Sequence, residues 1–381
     1  MKHIQVVILG GSANALGILR SLAPYAHCLV LLDDKNSPVF HSRFGYKKLV
    51  SSTKTGVIVD ELKQLGELFD NPPILFISEE KSVEQVSLHR DALRPLYRLL
   101  MPSHQLVTEL QAKQHFQALA EQHNAPIPQA ISIQKTEDIN AGEKLNFPCV
   151  FKPLYQDAGY SKQFKKAYKV ESLKQVSDLY KKIQPIMPDM LLQEWLHGKD
   201  SDIYFCLAIF NESSELISSF CGRKLRSWPL NIGGTASCTN APEAHQALTD
   251  ITANFANKIA YQGLLGMEFK YDDVRKGYYM IEPTVARTDY QHEIATLSGH
   301  NLLLQLYRYA RNEPIPDFSL AHHSVIWRDE VADANALAHG ADKSEPIPAQ
   351  SYKAIQRLSD PFPYLFNLYQ RVKRKLAPIK S

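Results

Sequence analysis

The apolar positions near the start of the chain form short unbroken runs separated by helically spaced ones. Ile4-Gln5-Val6-Val7-Ile8-Leu9 reads as a buried strand. Gly10-Gly11-Ser12 follows as a turn, and Ala15, Leu16, Leu19 and Leu22 then recur as one face of a helix. A second run, Leu29 to Leu32, ends at Asp33-Asp34, and a third spans Ile74 to Ile77. Runs alternating with helical stripes predict a doubly wound α/β unit, completed by helices through Leu100. The double glycine does not give GxGxxG at the spacing that dinucleotide binding needs, so a tight turn opening a sheet is the favoured reading over an NAD site.

From about Val107 the pattern changes. Ala112, Phe116, Leu119, Ala120 and His123 share one side of a helix that Asn124-Ala125-Pro126 ends, with Lys113 just off that stripe. Phe147 to Pro153 is a strand cut short by proline, followed by a lysine-rich polar stretch through Lys166. Met190 to Trp195 and Ile203 to Phe210 are further apolar strands. Strands returning in hairpins among helices suggest an α+β unit that clasps something. At 381 residues the chain has room for two or three such units.

Two segments carry the candidate chemistry. Gly266 to Tyr271 and Tyr278 to Glu282 alternate with period two around a polar connector holding Asp273 and Gly277, which predicts a hairpin. Pairing Tyr271 with Tyr279 and Phe269 with Ile281 sets Glu268 opposite Glu282. Like charges so placed, with Cβ atoms about 5 Å apart, destabilise a sheet unless something neutralises them. A shared proton or a lysine would serve. The reading preferred here is Mg²⁺, which one or two carboxylates commonly hold together with substrate phosphates. Both glutamates facing solvent is the bland alternative. On the strand ending at Pro153, Lys152 shares a face with Val150, and with Lys113 it supplies the point charges that polyphosphate binding needs.

With these residues in place, the stretch from about Gln105 to Asp289 resembles the ATP-grasp carboxylate-amine ligases, such as D-aspartate ligase, D-alanine-D-alanine ligase and biotin carboxylase. The resemblance implies an α/β and α+β fold: a Rossmann-like N-terminal domain (1–106), a two-lobed ATP-grasp domain (107–316, lid lobe about 125–195) and a C-terminal extension (317–381). Lys113, ahead of Ala125-Pro126-Ile127-Pro128, and Lys152 match the phosphate-binding lysines. Gln193-Glu194-Trp195-Leu196 matches the adenine hinge and Asp200 the ribose acid. Glu268 and Glu282 match the ligands of Mg²⁺ (or Mn²⁺). Thr284 stands as a metal ligand where the family usually has asparagine, offering a hydroxyl in place of the amide carbonyl, and Arg287, assigned to transition-state charge, comes one place late. Ser161 falls in the phosphate-covering loop. The implied function is an ATP-dependent ligation of a small-molecule carboxylate to an amine through an acyl phosphate, with no nucleophilic side chain required. An ATP-dependent carboxylase, a kinase-like phosphotransferase and a degenerate nucleotide-binding protein share the same site and remain as alternatives.

Arg223, Lys224 and Arg226 before Gly233-Gly234 suit an anionic substrate or the acyl phosphate; a strand edge with solvated charges is the competing reading. Lys plus Arg total 43 against 40 Asp plus Glu, and five of the bases lie in the last eleven residues, leaving a near-neutral body and arguing against nucleic acid as a partner. The five scattered cysteines signal neither zinc nor disulfides and fit a reducing cytoplasm. No secretory signal or membrane span is expected. Tyr364 to Tyr369 has helical spacing and leads into Arg371-Val372-Lys373-Arg374-Lys375. A helix packed on the domain with a solvated end is favoured there; a weak contact with an anionic membrane surface is the alternative, and a homodimer is admissible.

Overall fold

The computed structural model describes residues 3–155, 157–231, 233–316, 324–347 and 349–376. Lys380 of the basic tail lies outside them. The first four strands are β1 (Val6–Leu9), β2 (Cys28–Leu32), β3 (Tyr46–Leu49) and β4 (Ile74–Ile77). They form a parallel sheet in the order β3-β2-β1-β4. Every residue of β1, β2 and β4 is buried, as a sheet covered on both faces requires. In the turn after β1, the Gly11 N–H donates to a carboxylate oxygen of Glu79 at 3.2 Å. The chain's own acid thus sits where a pyrophosphate would approach such a turn.

Strands β5 (Ala130–Ile133), β6 (Cys149–Pro153), β7 (Tyr168–Val170) and β8 (Met190–Glu194) make a smaller sheet, ordered β5-β8-β6-β7. With the helix Leu173–Ile183 it closes a core of its own around Ile131, Phe151, Val176, Tyr180 and Leu192. Cys149, Phe151 and Pro153 face that core, so Val150 and Lys152 take the other side, as the alternation predicts.

The rest builds on β9 (Ile203–Phe210), β10 (Leu216–Trp228), β11 (Gly234–Asn240), β12 (Gly263–Asp272), β13 (Gly277–Val285), β14 (Ser324–Arg328) and β15 (Ala349–Lys353). Their order is β13-β12-β9-β10-β11-β14-β15. β9 is apolar throughout because it divides its side chains between two cores. Cys206, Ala208 and Phe210 pack on the side of the helix His245–Lys258, whereas Phe205, Leu207 and Ile209 face the helix Leu302–Ala310. The same two cores take in the two faces of the first sheet. At one junction Gly263 has φ +89°, and a Cβ there would lie 2.2 Å from the Leu100 carbonyl oxygen.

The segment after residue 316, expected as an extension, supplies β14 and β15 at the edge of the large sheet. It is also tied to the chain's start. Asp360 is fully buried and accepts hydrogen bonds from Arg20 Nε at 3.1 Å, Ser42 Oγ at 2.8 Å and the Arg43 N–H at 3.0 Å. The final helix, Phe362–Leu376, packs beside residues 38–41, with Phe366 stacked on His41. Among the described residues no helix is long and apolar enough to cross a membrane.

Candidate active site

The lysines are placed by local structure. Lys113 is the first residue of the helix Lys113–Gln122, which buries Phe116 and Ala120 and leaves its first turn at the edge of a cleft. Lys152 projects from β6 on the face it shares with Val150, and Gln193, paired with Val150 across β8, lies beside it. Its ammonium donates to Gln193 Oε1 at 3.0 Å, Gln193 Nε2 donates to Gln117 Oε1 at 3.0 Å, and Gln117 Nε2 donates to the Pro128 carbonyl at 2.8 Å. This chain of amides fixes a long flexible cation. Burial first, and then the charge of Lys113, push the Lys152 ammonium down to about 8 against the pull of Glu282. Burial lowers Lys113 as well, again opposed by Glu282.

β12 and β13 form the predicted hairpin, and Glu268 pairs with Glu282. The neighbouring pairs differ from the expected ones: Phe269 lies opposite Met280 and Tyr271 opposite Tyr278, because a bulge between Glu268 and Phe269 leaves Ile281 unpaired. Lys224, expected to meet substrate, is buried and donates to Glu268 Oε2 at 2.7 Å from β10, two strands away. Burial alone would lower the Lys224 pKa, but Glu268 outweighs it and holds the ammonium above its ordinary value. Burial raises Glu268, and Lys224 opposes that rise.

Thr284 follows two places after Glu282 on the same face, and its hydroxyl donates to Asp289 Oδ1 at 2.8 Å. Had β13 continued, Arg287 would point to the far side. Instead Ala286 takes φ +51°, held by its N–H donating to the Tyr261 hydroxyl at 2.8 Å and the Leu264 carbonyl at 3.0 Å. A left-handed non-glycine residue costs about 1–2 kcal/mol, and here it turns Arg287 back into the cleft. Arg287 reaches Glu80 at 3.9 Å and donates to the Thr288 carbonyl at 3.1 Å, while its Nε is buried without a partner.

One cleft of about 250 Å³ therefore gathers Lys113, Lys152, Gln193, Glu268, Glu282, Thr284 and Arg287. Gln117, Glu80 and Asp289 line it too, though sequence reasoning had not singled them out. The other expected residues are engaged elsewhere. Glu194 accepts from Asn146 and, at 2.8 Å, from Arg275; Trp195 lies 5.4 Å from both the Lys169 and Lys270 ammonium groups; Leu196 is buried. Asp200 accepts from the N–H groups of Ser227 and Asn231. Ser161, inside the short helix Ala158–Gln163, spends its hydroxyl on the Asp157 carbonyl. Arg223 turns to the opposite face of β10, 4.0 Å from Glu243, and Arg226 is bound by Asp333 and Glu345 at 2.6 Å each. Gly233 donates its N–H to the Pro229 carbonyl in a tight turn, and Gly234 opens β11.

Hard carboxylate oxygens opposed across two strands are a donor set that suits Mg²⁺. Lys224 already supplies one cation to Glu268. Among the described residues no three His, Cys, Asp or Glu side chains converge as a self-sufficient metal site, so the remaining ligands would come from substrate phosphate and water.

The architecture has solved counterparts. N5-carboxyaminoimidazole synthetase from Staphylococcus aureus superposes with a TM-score of 0.66 at 12% identity, covering 89% of this chain and 86% of that one. The chain has the ATP-grasp fold. A second ATP-grasp neighbour, an N5-carboxyaminoimidazole ribonucleotide synthetase in complex with ADP, gives a TM-score of 0.62 at 17% identity over 86% of this chain and 81% of its own. The third is the biotin carboxylase domain of Hydrogenobacter thermophilus 2-oxoglutarate carboxylase, with MgADP, ADP and bicarbonate. It gives 0.63 at 11% identity over 86% and 74%. No family model matches the sequence, and no curated protein matches it.

Proposed function

We propose that this ATP-grasp protein is an ATP-dependent carboxylate-amine ligase. The observation that carries the reading is the facing pair Glu268 and Glu282 in one cleft with Lys113 and Lys152. The two ammonium groups would hold the α and β phosphates of ATP, and Gln193 keeps Lys152 aimed at them. Magnesium held by Glu268 and Glu282 would offset charge on the β and γ phosphates. A substrate carboxylate oxygen attacks the γ phosphorus, ADP departs, and an acyl phosphate results. An amine then attacks the acyl carbon, phosphate leaves, and the C–N bond forms. Arg287, with a free Nε in the cleft, would stabilise the oxyanion and the departing phosphate. Asp200 is proposed to bind the ribose, the segment Gln193–Leu196 to hold the adenine, Ser161 to cover the phosphates, and the turn at Gly233-Gly234 to meet substrate.

The solved neighbour holding MgADP and bicarbonate favours a specific version of this scheme, in which bicarbonate is the carboxylate and the product is a carboxylated amine. We read the first sheet, with its 3-2-1-4 order, as a Rossmann-like domain over 1–106 and the clasping unit as 107–316. Five buried cysteines, none in a disulfide, accord with a cytoplasmic protein, and a homodimer is compatible with the fold.

The test is phosphate release from ATP over a panel of carboxylates, bicarbonate included, each combined with amines, with product mass determined. Release that depends on both substrates and is lost in Glu282→Gln supports the ligase. Absence of release with every pair, or a Glu282→Gln variant that works normally, refutes it.

A further inference from the structure

The final helix, Phe362–Leu376, is amphipathic in an inverted sense. Its less exposed positions are Pro363, Tyr364, Phe366, Asn367 and Gln370, a mixed face of which Phe366 stacks on His41. Phe362, Leu365, Leu368, Tyr369 and Val372 are instead exposed, at 53, 50, 45, 59 and 47%. At about 100° per residue these five fall within roughly 120° of arc and make one continuous stripe. Leu358, just before the helix, is fully exposed as well. A surface helix ordinarily turns such a stripe inward, and an exposed apolar patch of this size marks a contact.

Charge identifies the contact. Arg371 and Lys373 are exposed and flank Val372 on the two sides of the stripe. No acid occurs among the last eleven residues, which carry five bases. Asp360, the nearest acid before the helix, is buried in its hydrogen bonds to Arg20 and Ser42 and contributes nothing to the exposed face. An apolar stripe with aromatic members, bordered by bases and free of acids, complements a bilayer boundary. The ring and aliphatic carbons enter the acyl region while the cations meet lipid phosphates.

We propose that the helix Phe362–Leu376 docks the protein on an anionic lipid surface, with its apolar stripe turned to the bilayer. Its partner on the body, residues 38–41, holds the helix so that the stripe stays outward. Docking through this helix leaves the ATP-binding residues on other elements free to act.

The experiment is sedimentation of the full-length protein with vesicles of pure phosphatidylcholine and of equal parts phosphatidylcholine and phosphatidylglycerol. Expected is binding to the mixed vesicles, weakened at least about tenfold by Leu365→Asp with Leu368→Asp and by high salt. Both leucines are exposed, so an unfolding temperature equal to that of the parent confirms the fold of the variant. Should it drop, Arg371→Glu with Lys373→Glu serves instead, with the same loss expected. Binding to neither vesicle, or binding that both variants leave intact, overturns the proposal. So does light scattering that shows a dimer which Leu365→Asp dissociates, since the stripe would then be an interface between copies.

Discussion

Lys224 is the most exacting test of the carboxylate pair. Its ammonium lies 2.7 Å from Glu268, with the lysine side chain 4% and the glutamate side chain 27% exposed. Breaking a fully buried pair by removing one partner costs about 3–5 kcal/mol, and the partial exposure of Glu268 brings the expected cost of Lys224→Met to about 2–3 kcal/mol. Without the ammonium, Glu268 and Glu282 oppose each other uncompensated across the hairpin, and a divalent cation completed by water would relieve the pair. Magnesium at about a hundredfold its dissociation constant stabilises a folded protein by about 2.7 kcal/mol, which matches the loss. The unfolding temperature of Lys224→Met should therefore fall by a few degrees in chelator and return close to that of the parent in magnesium. The parent, already neutralised, should respond less to the metal alone. If the variant unfolds like the parent in chelator, or if magnesium does nothing for it, then the two glutamates do not form a cation site and the ligase reading loses its basis.

Three further outcomes follow from the same geometry. Glu282→Gln should retain the fold, because Glu282 is exposed, yet lose ATP turnover by at least about a hundredfold, read as phosphate release. Lys152, with its pKa lowered to about 8, is cationic below that pH and neutral above it. Metal-free nucleotide affinity measured by calorimetry should thus weaken as pH rises from about 8, by up to about tenfold per unit, and Lys152→Met should flatten the profile; an unchanged slope in the variant would exclude the lysine. Gly263→Ala should cost about 2–4 kcal/mol, from its positive φ and the overlap with the Leu100 carbonyl, and a denaturant midpoint equal to that of the parent would contradict this account.

What could be read from the sequence was whatever depends on alternation within one strand or one hairpin. The strands Ile74–Ile77 and Ile203–Phe210 lie where their apolar runs end, and Lys152 takes the face opposite Cys149 and Phe151. The pairing of Glu268 with Glu282 came from counting by twos, and the count fails one residue further on, where the bulge at Ile281 shifts Phe269 and Tyr271. A bulge leaves no mark in an alternating pattern. Strand order was hidden as well. That β10 lies next to β9, and so within reach of β12, converts Lys224 from a substrate base into the counter-ion of Glu268 and places Arg223 on the other face. Glu80 and Asp289 come from segments that only the tertiary fold brings to the cleft. The late arrival of Arg287 found its explanation in the left-handed Ala286, which no propensity favours.

The hydrogen bonds between Arg20 and Asp360 join positions 340 residues apart. At ribosomal speeds of about 5–20 residues per second, roughly 17–70 s separate the synthesis of one from that of the other. The other acceptors of the Arg20 guanidinium, the carbonyls of Ala354 and Ile355, come only a few residues earlier. A nascent chain halted before residue 360 would therefore leave the helix Ala13–Leu22 without its Asp360 latch.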